Sequence, residues 1–167
     1  MKTFNIHFTR YVTQYKEGDC AMILREIINF IEIKYPTFLA ESWDNVGLMI
    51  GDYDQEIGRV MVALEVNEAI VEEAIEKQID LIITHHPFFF GKFNQINSDC
   101  LKGRLSLQMI QQGISLYSMH TNYDIAFEGM NDQFMKFMGW IPEEIFLPAT
   151  NVQDWYIQQN HGKVPGV

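Results

Sequence analysis

The chain has 167 residues, of which 47% are hydrophobic and 20% charged, with a formal net charge of −10. This composition describes a globular domain with a substantial core and excludes a disordered chain. A surface of that sign repels phosphate backbones, which argues against electrostatic nucleic-acid binding, and no stretch reaches the roughly 18 apolar residues of a membrane span.

The two cysteines, Cys20 and Cys100, have no metal-site spacing between them and imply no disulfide framework, so a reducing cytoplasm is the expected compartment. Residues 1–21, "MKTFNIHFTRYVTQYKEGDCA", lack the apolar run of a signal peptide. They also lack a helical or strand period and are read as an atypical leader, with an edge strand through "FNIHF" as the alternative.

Regular patterning begins at Met22. Apolar residues at Leu24, Ile27, Ile28 and Ile31 carry the spacing of an amphipathic helix over 22–34, which Pro36 stops. "ESWDNVGLMIGD" reads as a turn-rich segment in which Gly47 and Gly51 allow unusual backbone angles and Asp44 and Asn45 bond their own backbone. "RVMVALEV", Arg59 to Val66, is nearly all apolar and β-branched, as suits a strand covered on both faces. Asn67 is placed to cap a helix over 68–78, and residues 80–84 form the next buried strand. A helix over 101–112 ends at Gly113. A third strand follows over 114–119, and a last helix over 131–138 ends at Gly139. The expected fold class is α/β, a parallel sheet of βαβ units with flanking helices and right-handed crossovers.

Chemistry concentrates in "DLIITHHPFFF", Asp80 to Phe90, and in "HTNYD", His120 to Asp124. Both follow predicted parallel strands, and open α/β sheets bind ligands outside the carboxyl ends of their strands. Adjacent side chains in a strand point to opposite faces, but at a strand end His85 and His86 splay, and Pro87 biases His86 towards an extended backbone. Splayed imidazoles suit two ions about 3.5–4 Å apart, with Asp124 as a carboxylate ligand and His120 as a ligand or an outer donor. The plainer role for one lone histidine is to bond backbone carbonyls at a strand end. Two segments in register favour metal. No serine or cysteine elbow and no phosphate-cradling glycine loop is present, so no catalytic residue is assigned. The three phenylalanines Phe88, Phe89 and Phe90 are read as core or subunit-interface residues.

"WDNVGL" (Trp43–Leu48), "LIITHHPFFF" (Leu81–Phe90) and "HTNYD" with "GMND" (His120–Asp132) resemble, in order and spacing, three motifs of the NIF-three-like family of GTP cyclohydrolase 1 type 2 homologues. The resemblance implies a dinuclear α/β metal protein, a toroidal homohexamer using zinc or iron. Carried over by position, His85 and His86 correspond to its paired ligands and Asp124 to its carboxylate ligand. His120 corresponds to a histidine near the site, and Asp44 and Asn45 to a segment lining the cleft.

The family also takes a His and an ion-bridging Glu from a motif near its C-terminus, whereas this sequence reaches Val167 near where the second half of that fold would begin. Residues 22–167 are therefore expected to be the N-terminal half of a truncated family fold, holding its two divalent ions partially or not at all. The expected function is that of a metal-dependent hydrolase on a nucleotide-like small molecule. The alternatives are a non-catalytic metal-binding or interaction protein and an inactive truncated product. A homo-oligomer is expected, with the phenylalanines of "PFFF" and Trp140 as contacts, and no partnership with nucleic acid or membrane.

Overall fold

The computed structural model describes residues 11–14 and 21–140. The chain divides into two compact units, one built from residues up to Ile28 with Asn45–Met119, the other from Asn29–Asp44 with the residues from His120 onward.

The first unit carries a five-stranded sheet. Its strands are β1 (Tyr11–Gln14), β3 (Gly47–Ile50), β5 (Arg59–Ala63), β6 (Leu81–Thr84) and β7 (Ser115–Ser118), in the order β1-β5-β6-β7-β3. As the βαβ pattern demands, β5 and β6 run parallel (Val60 beside Leu81), and so do β6 and β7 (Leu81 beside Ser115). The crossovers contain α2 (Glu68–Glu76) and α3 (Leu101–Gln111). A short ribbon pairs β2 (Met22–Ile23) with β4 (Glu56–Ile57), antiparallel.

Local chemistry sets the ends of these elements. The Asn67 side-chain oxygen accepts from the Ile70 N–H at 3.0 Å, closing the start of α2. Gly113 follows α3 with a φ of +68°, the left-handed turn that ends a helix and that glycine enters without steric cost. The Asp80 carboxylate accepts from the N–H groups of Gly58 and Arg59, each at 2.8 Å, aligning the starts of β5 and β6.

Three expectations are corrected. The segment read as turn-rich contains β3, which pairs antiparallel with β7 and carries a register shift between Leu48 and Ile50. Its glycines do take unusual angles, with φ of +104° at Gly47 and +139° at Gly51, but they bracket a strand. A Cβ at Gly51 would also collide with the Ser115 side chain. Second, Tyr11–Gln14 lies inside the stretch read as a leader without strand period, yet it forms β1 along the open edge of β5 (Tyr11 opposite Val62). Backbone pairing, not side-chain alternation, places it. The "FNIHF" segment lies outside the described residues. Third, β5 is not covered on both faces: Met61 is fully buried, but Val62 is 43% exposed.

The core of this unit gathers Met61, Val71, Ala74, Ile82, Leu105, Met109 and Leu116 between the sheet and its helices, with Phe88 built into it. Phe88 is thus a core residue and drops out of the expected contact surface. Phe90 and Trp140 are exposed.

In the second unit, most of α1 (Leu24–Lys34) leads through a 3-10 turn at Thr37–Leu39 to Asp44. From His120 follow the short α4 (Thr121–Ile125) and α5 (Met130–Met138), which Gly139 ends at φ +71°. Among the described residues, Leu39 and Ala126 form its small buried centre, with Tyr35, Ile125 and Phe127 around them.

Candidate metal centre

The two histidines of β6 begin where its ladder ends. The N–H of His86 still bonds the Leu64 carbonyl at 2.8 Å, so the backbone stays extended past Thr84. The buried Thr84 hydroxyl donates to the His86 carbonyl at 3.0 Å and lies 2.8 Å from the Ser118 hydroxyl of β7. The Ser118 hydroxyl also reaches the Met49 sulfur, at 3.5 Å. This buried Thr–Ser link fixes the exit of β6 against that of β7 and sets the turn from which both imidazoles project.

The rings of His85 and His86 stand 5.3 Å apart between centroids and 44° apart in plane. They splay without separating, as expected of adjacent residues at a strand end. His85 is half-buried. The His86 side chain is 46% exposed, with Nδ1 3.3 Å from Oε2 of Glu65. Glu65 went unmarked in the sequence because it sat inside a run read as apolar strand. What identifies it in hindsight is a lone carboxylate at the C-terminal end of β5, beside the parallel β6. A recess of about 220 Å³ opens beside His86, with Asn67, Phe88, Leu101 and Lys102 in its wall. Asn45, expected to bond its own backbone, instead donates to the Phe89 carbonyl at 2.6 Å and steadies the loop after the histidines.

β7 runs parallel to β6 with Ser118 beside Thr84, and the Met119 N–H bonds the Thr84 carbonyl at 2.9 Å. His120 is the next residue and opens the second unit. Within that unit its Nδ1 lies 3.0 Å from Oδ1 of Asp44, and Asp44 also accepts from the N–H and hydroxyl of Thr121. Asp44 therefore caps α4 across the sequence, where a bond to its own backbone was expected. The Trp43 and His120 rings meet edge to face, 6.2 Å apart between centroids.

Asp124 stands one turn further on, half-buried. Its N–H bonds the His120 carbonyl at 3.1 Å, and its own carbonyl accepts from Asn131 Nδ2 at 2.9 Å. Next to it, burial pushes the Tyr123 phenol above its usual range. Among the described residues, the first unit offers His85 and His86 as neighbouring imidazole donors for a metal ion, and the second unit offers His120. The donor chemistry fits, since imidazole nitrogens are ordinary ligands for zinc and iron, and ligating histidines commonly bond a carboxylate through the other ring nitrogen. His161 lies outside the described residues.

Parallel strands, with adjacent imidazoles at the carboxyl end of β6, define an α/β protein whose strand-end edge carries donors suited to a metal ion. Residues 22–162 match the model of the Duf34/NIF3 (NGG1p interacting factor 3) family, and the chain belongs to that family. It is 43% identical over 119 residues to a GTP cyclohydrolase 1 type 2 homologue of Clostridium perfringens, covering 71% of this chain and 45% of that protein. A Bacillus subtilis protein of the same description is 38% identical over 125 residues, covering 75% of this chain and 34% of the relative. The chain thus spans less than half the length of these relatives. Among solved structures, it resembles a Bacillus cereus protein related to NIF3, with a TM-score of 0.72 and 34% identity over 78% of this chain and 36% of that one. It also resembles Staphylococcus aureus protein SA1388, with a TM-score of 0.66 and 39% identity over 71% of this chain and 34% of the other.

Proposed function

We propose that this chain supplies ligands for two divalent ions, zinc or iron, in a metal-dependent hydrolase acting on a nucleotide-like small molecule. The residues that would hold the ions are His85, His86 and Asp124, with His120 alongside. The observation that carries the reading is the pair of neighbouring imidazoles, His85 and His86, at the carboxyl end of the parallel strand β6. The description of the relatives as GTP cyclohydrolase 1 type 2 homologues supports the substrate class. When bound, such ions supply Lewis acidity for hydrolysis. The chain's own contribution is to orient ligands: Glu65 steadies His86, and the Thr84–Ser118 link holds the turn that presents it.

Activity, substrate and assembly stand as proposals for the whole protein, because the chain spans 45% of the Clostridium perfringens relative and less of the Bacillus subtilis one. We place it in the cytoplasm as a homo-oligomer, a homohexamer by family resemblance. No helix among the described residues is long and apolar enough to cross a membrane.

A second reading, a metal-binding protein without turnover, draws on the ligand count. Three imidazoles and one carboxylate leave two tetrahedral shells incomplete, so water or further groups must fill them and occupancy should be partial. Elemental analysis of the purified chain, before and after zinc or iron loading, tests the metal reading. We expect bound metal that His86→Ala abolishes and His161→Ala leaves unchanged. A chain that retains no metal after loading sinks both readings. Formate release from GTP, or its absence from a metal-loaded sample, then separates hydrolase from binder.

A further inference from the structure

The Asp44 carboxylate has no solvent-exposed side-chain surface, and both of its oxygens have partners. Oδ2 accepts from the Thr121 N–H at 3.0 Å and from the Thr121 hydroxyl. That hydroxyl in turn accepts from the Glu41 N–H at 3.0 Å, which directs its own proton to Asp44. Oδ1 faces Nδ1 of His120 at 3.0 Å. An ionised carboxylate offers only acceptors, so the proton shared with His120 has to come from the ring.

We propose that Asp44 is a positioning residue that holds His120 as the Nδ1–H tautomer, so that Nε2 carries the lone pair available to a ligand or a proton. Trp43 braces the same ring at a 77° interplanar angle, so orientation and tautomer are set together. This assignment leans on the metal reading only for what Nε2 would meet; the tautomer follows from the contacts of Asp44 with His120 and Thr121. A histidine in the wrong tautomer presents a proton where a lone pair is needed, and it then neither ligates a metal nor accepts a proton.

The substitution Asp44→Asn makes the proposal testable. The Thr121 N–H cannot change roles, so the amide oxygen must stay on it and the NH2 group must turn to His120. The ring then has to offer Nδ1 as an acceptor and carry its proton on Nε2. Nitrogen-15 NMR of the imidazoles distinguishes the two tautomers in metal-free protein at about pH 8, above the ordinary imidazole pKa, with the His120 signals assigned by loss in His120→Gln.

We expect Nδ1–H in the wild type and Nε2–H in Asp44→Asn. Thr121→Ala, which removes a donor from the same carboxylate without touching Nδ1, should keep the wild-type tautomer. A merely structural carboxylate would not produce that split. Zinc affinity should fall roughly 10- to 100-fold in Asp44→Asn. Wild-type His120 found as Nε2–H overturns the proposal even if the variant fails to fold, and so does a folded Asp44→Asn that keeps Nδ1–H. If the wild-type tautomer is as expected but no metal binds at all, the metal reading falls and the tautomer assignment stands.

Discussion

The centre of the sheet and helix α5 start from similar sequence signals and end in opposite environments. β6 and β7 are apolar runs whose Leu81, Ile82, Leu116 and Tyr117 are fully buried. α5 has an amphipathic pattern of comparable clarity, yet none of its residues is buried, and Phe134 and Phe137 are 54% and 86% exposed. An apolar stripe states that a face gains from leaving water; whether it leaves depends on a partner surface. β6 has a strand on each side and helices against the sheet, whereas α5 belongs to a unit whose buried centre, among the described residues, is small.

The sharpest way to break this contrast is a pair of truncations. Leu81→Ala should cost about 2–5 kcal/mol of unfolding free energy, as large-to-small changes in packed cores do, while Phe137→Ala should stay within about 0.5 kcal/mol. Urea denaturation of both variants at one protein concentration measures this. A Phe137→Ala cost that matches Leu81→Ala would mean that the α5 face is covered in solution, which agrees with the proposed homo-oligomer. Next in size, Thr84→Val removes the hydroxyl joining β6, β7 and the His86 carbonyl. Taking that hydroxyl partner from the buried Ser118 and the His86 carbonyl should cost about 1–3 kcal/mol by the same assay. It should also loosen the histidine turn, seen as faster hydrogen exchange at the His86 N–H.

Smaller still is Asn67→Ala, which removes the cap on α2 and should cost about 1 kcal/mol. Because α2 packs in the first unit, its loss should not alter the exchange of α5 amides. The smallest effect belongs to the exposed charges of the second unit. The hydrogen bond from Lys136 and then that from Lys34 hold the Glu128 carboxyl below its ordinary value of 4.5. A depressed folded-state pKa contributes stability above that value and loses it as pH falls through the folded pKa. Glu128→Gln should therefore be slightly less stable than wild type at neutral pH, and the gap should close as pH falls below about 4.5. A gap unchanged down to pH 3 would show that the two lysines do not act on it. Surface pairs of this kind contribute little, so the difference should be near the limit of measurement.

Much of the fold was legible because it rests on local rules. The periods of 22–34, 101–112 and 131–138, the Asn67 cap and the stops at Gly113 and Gly139 all express residue-level preferences. The long apolar runs at Arg59 and Leu81 led directly to parallel pairing. At the site, His85 and His86 were readable because two polar residues at the end of an apolar strand are conspicuous. Other features were not readable. β1 and β3 are edge strands recruited by the open backbone of β5 and β7, and a backbone edge leaves no mark in side-chain periodicity. Glu65, Thr121 and the Thr84–Ser118 link acquire meaning only from neighbours far along the chain.

By itself, then, the sequence determined which segments become helices and most of the strands, that three strands run parallel, and that His85 and His86 follow the carboxyl end of one of them. These follow from hydrophobic period, caps and the geometry of crossovers. Tertiary structure alone decided that Asp44 reaches 76 residues along the chain to the His120 ring, that Phe88 joins the core while Phe90 stays in water, and that the two faces of β5 differ. Each of these is a contact between groups remote in sequence, and hydrogen bonds and burial depend on where a partner sits in space.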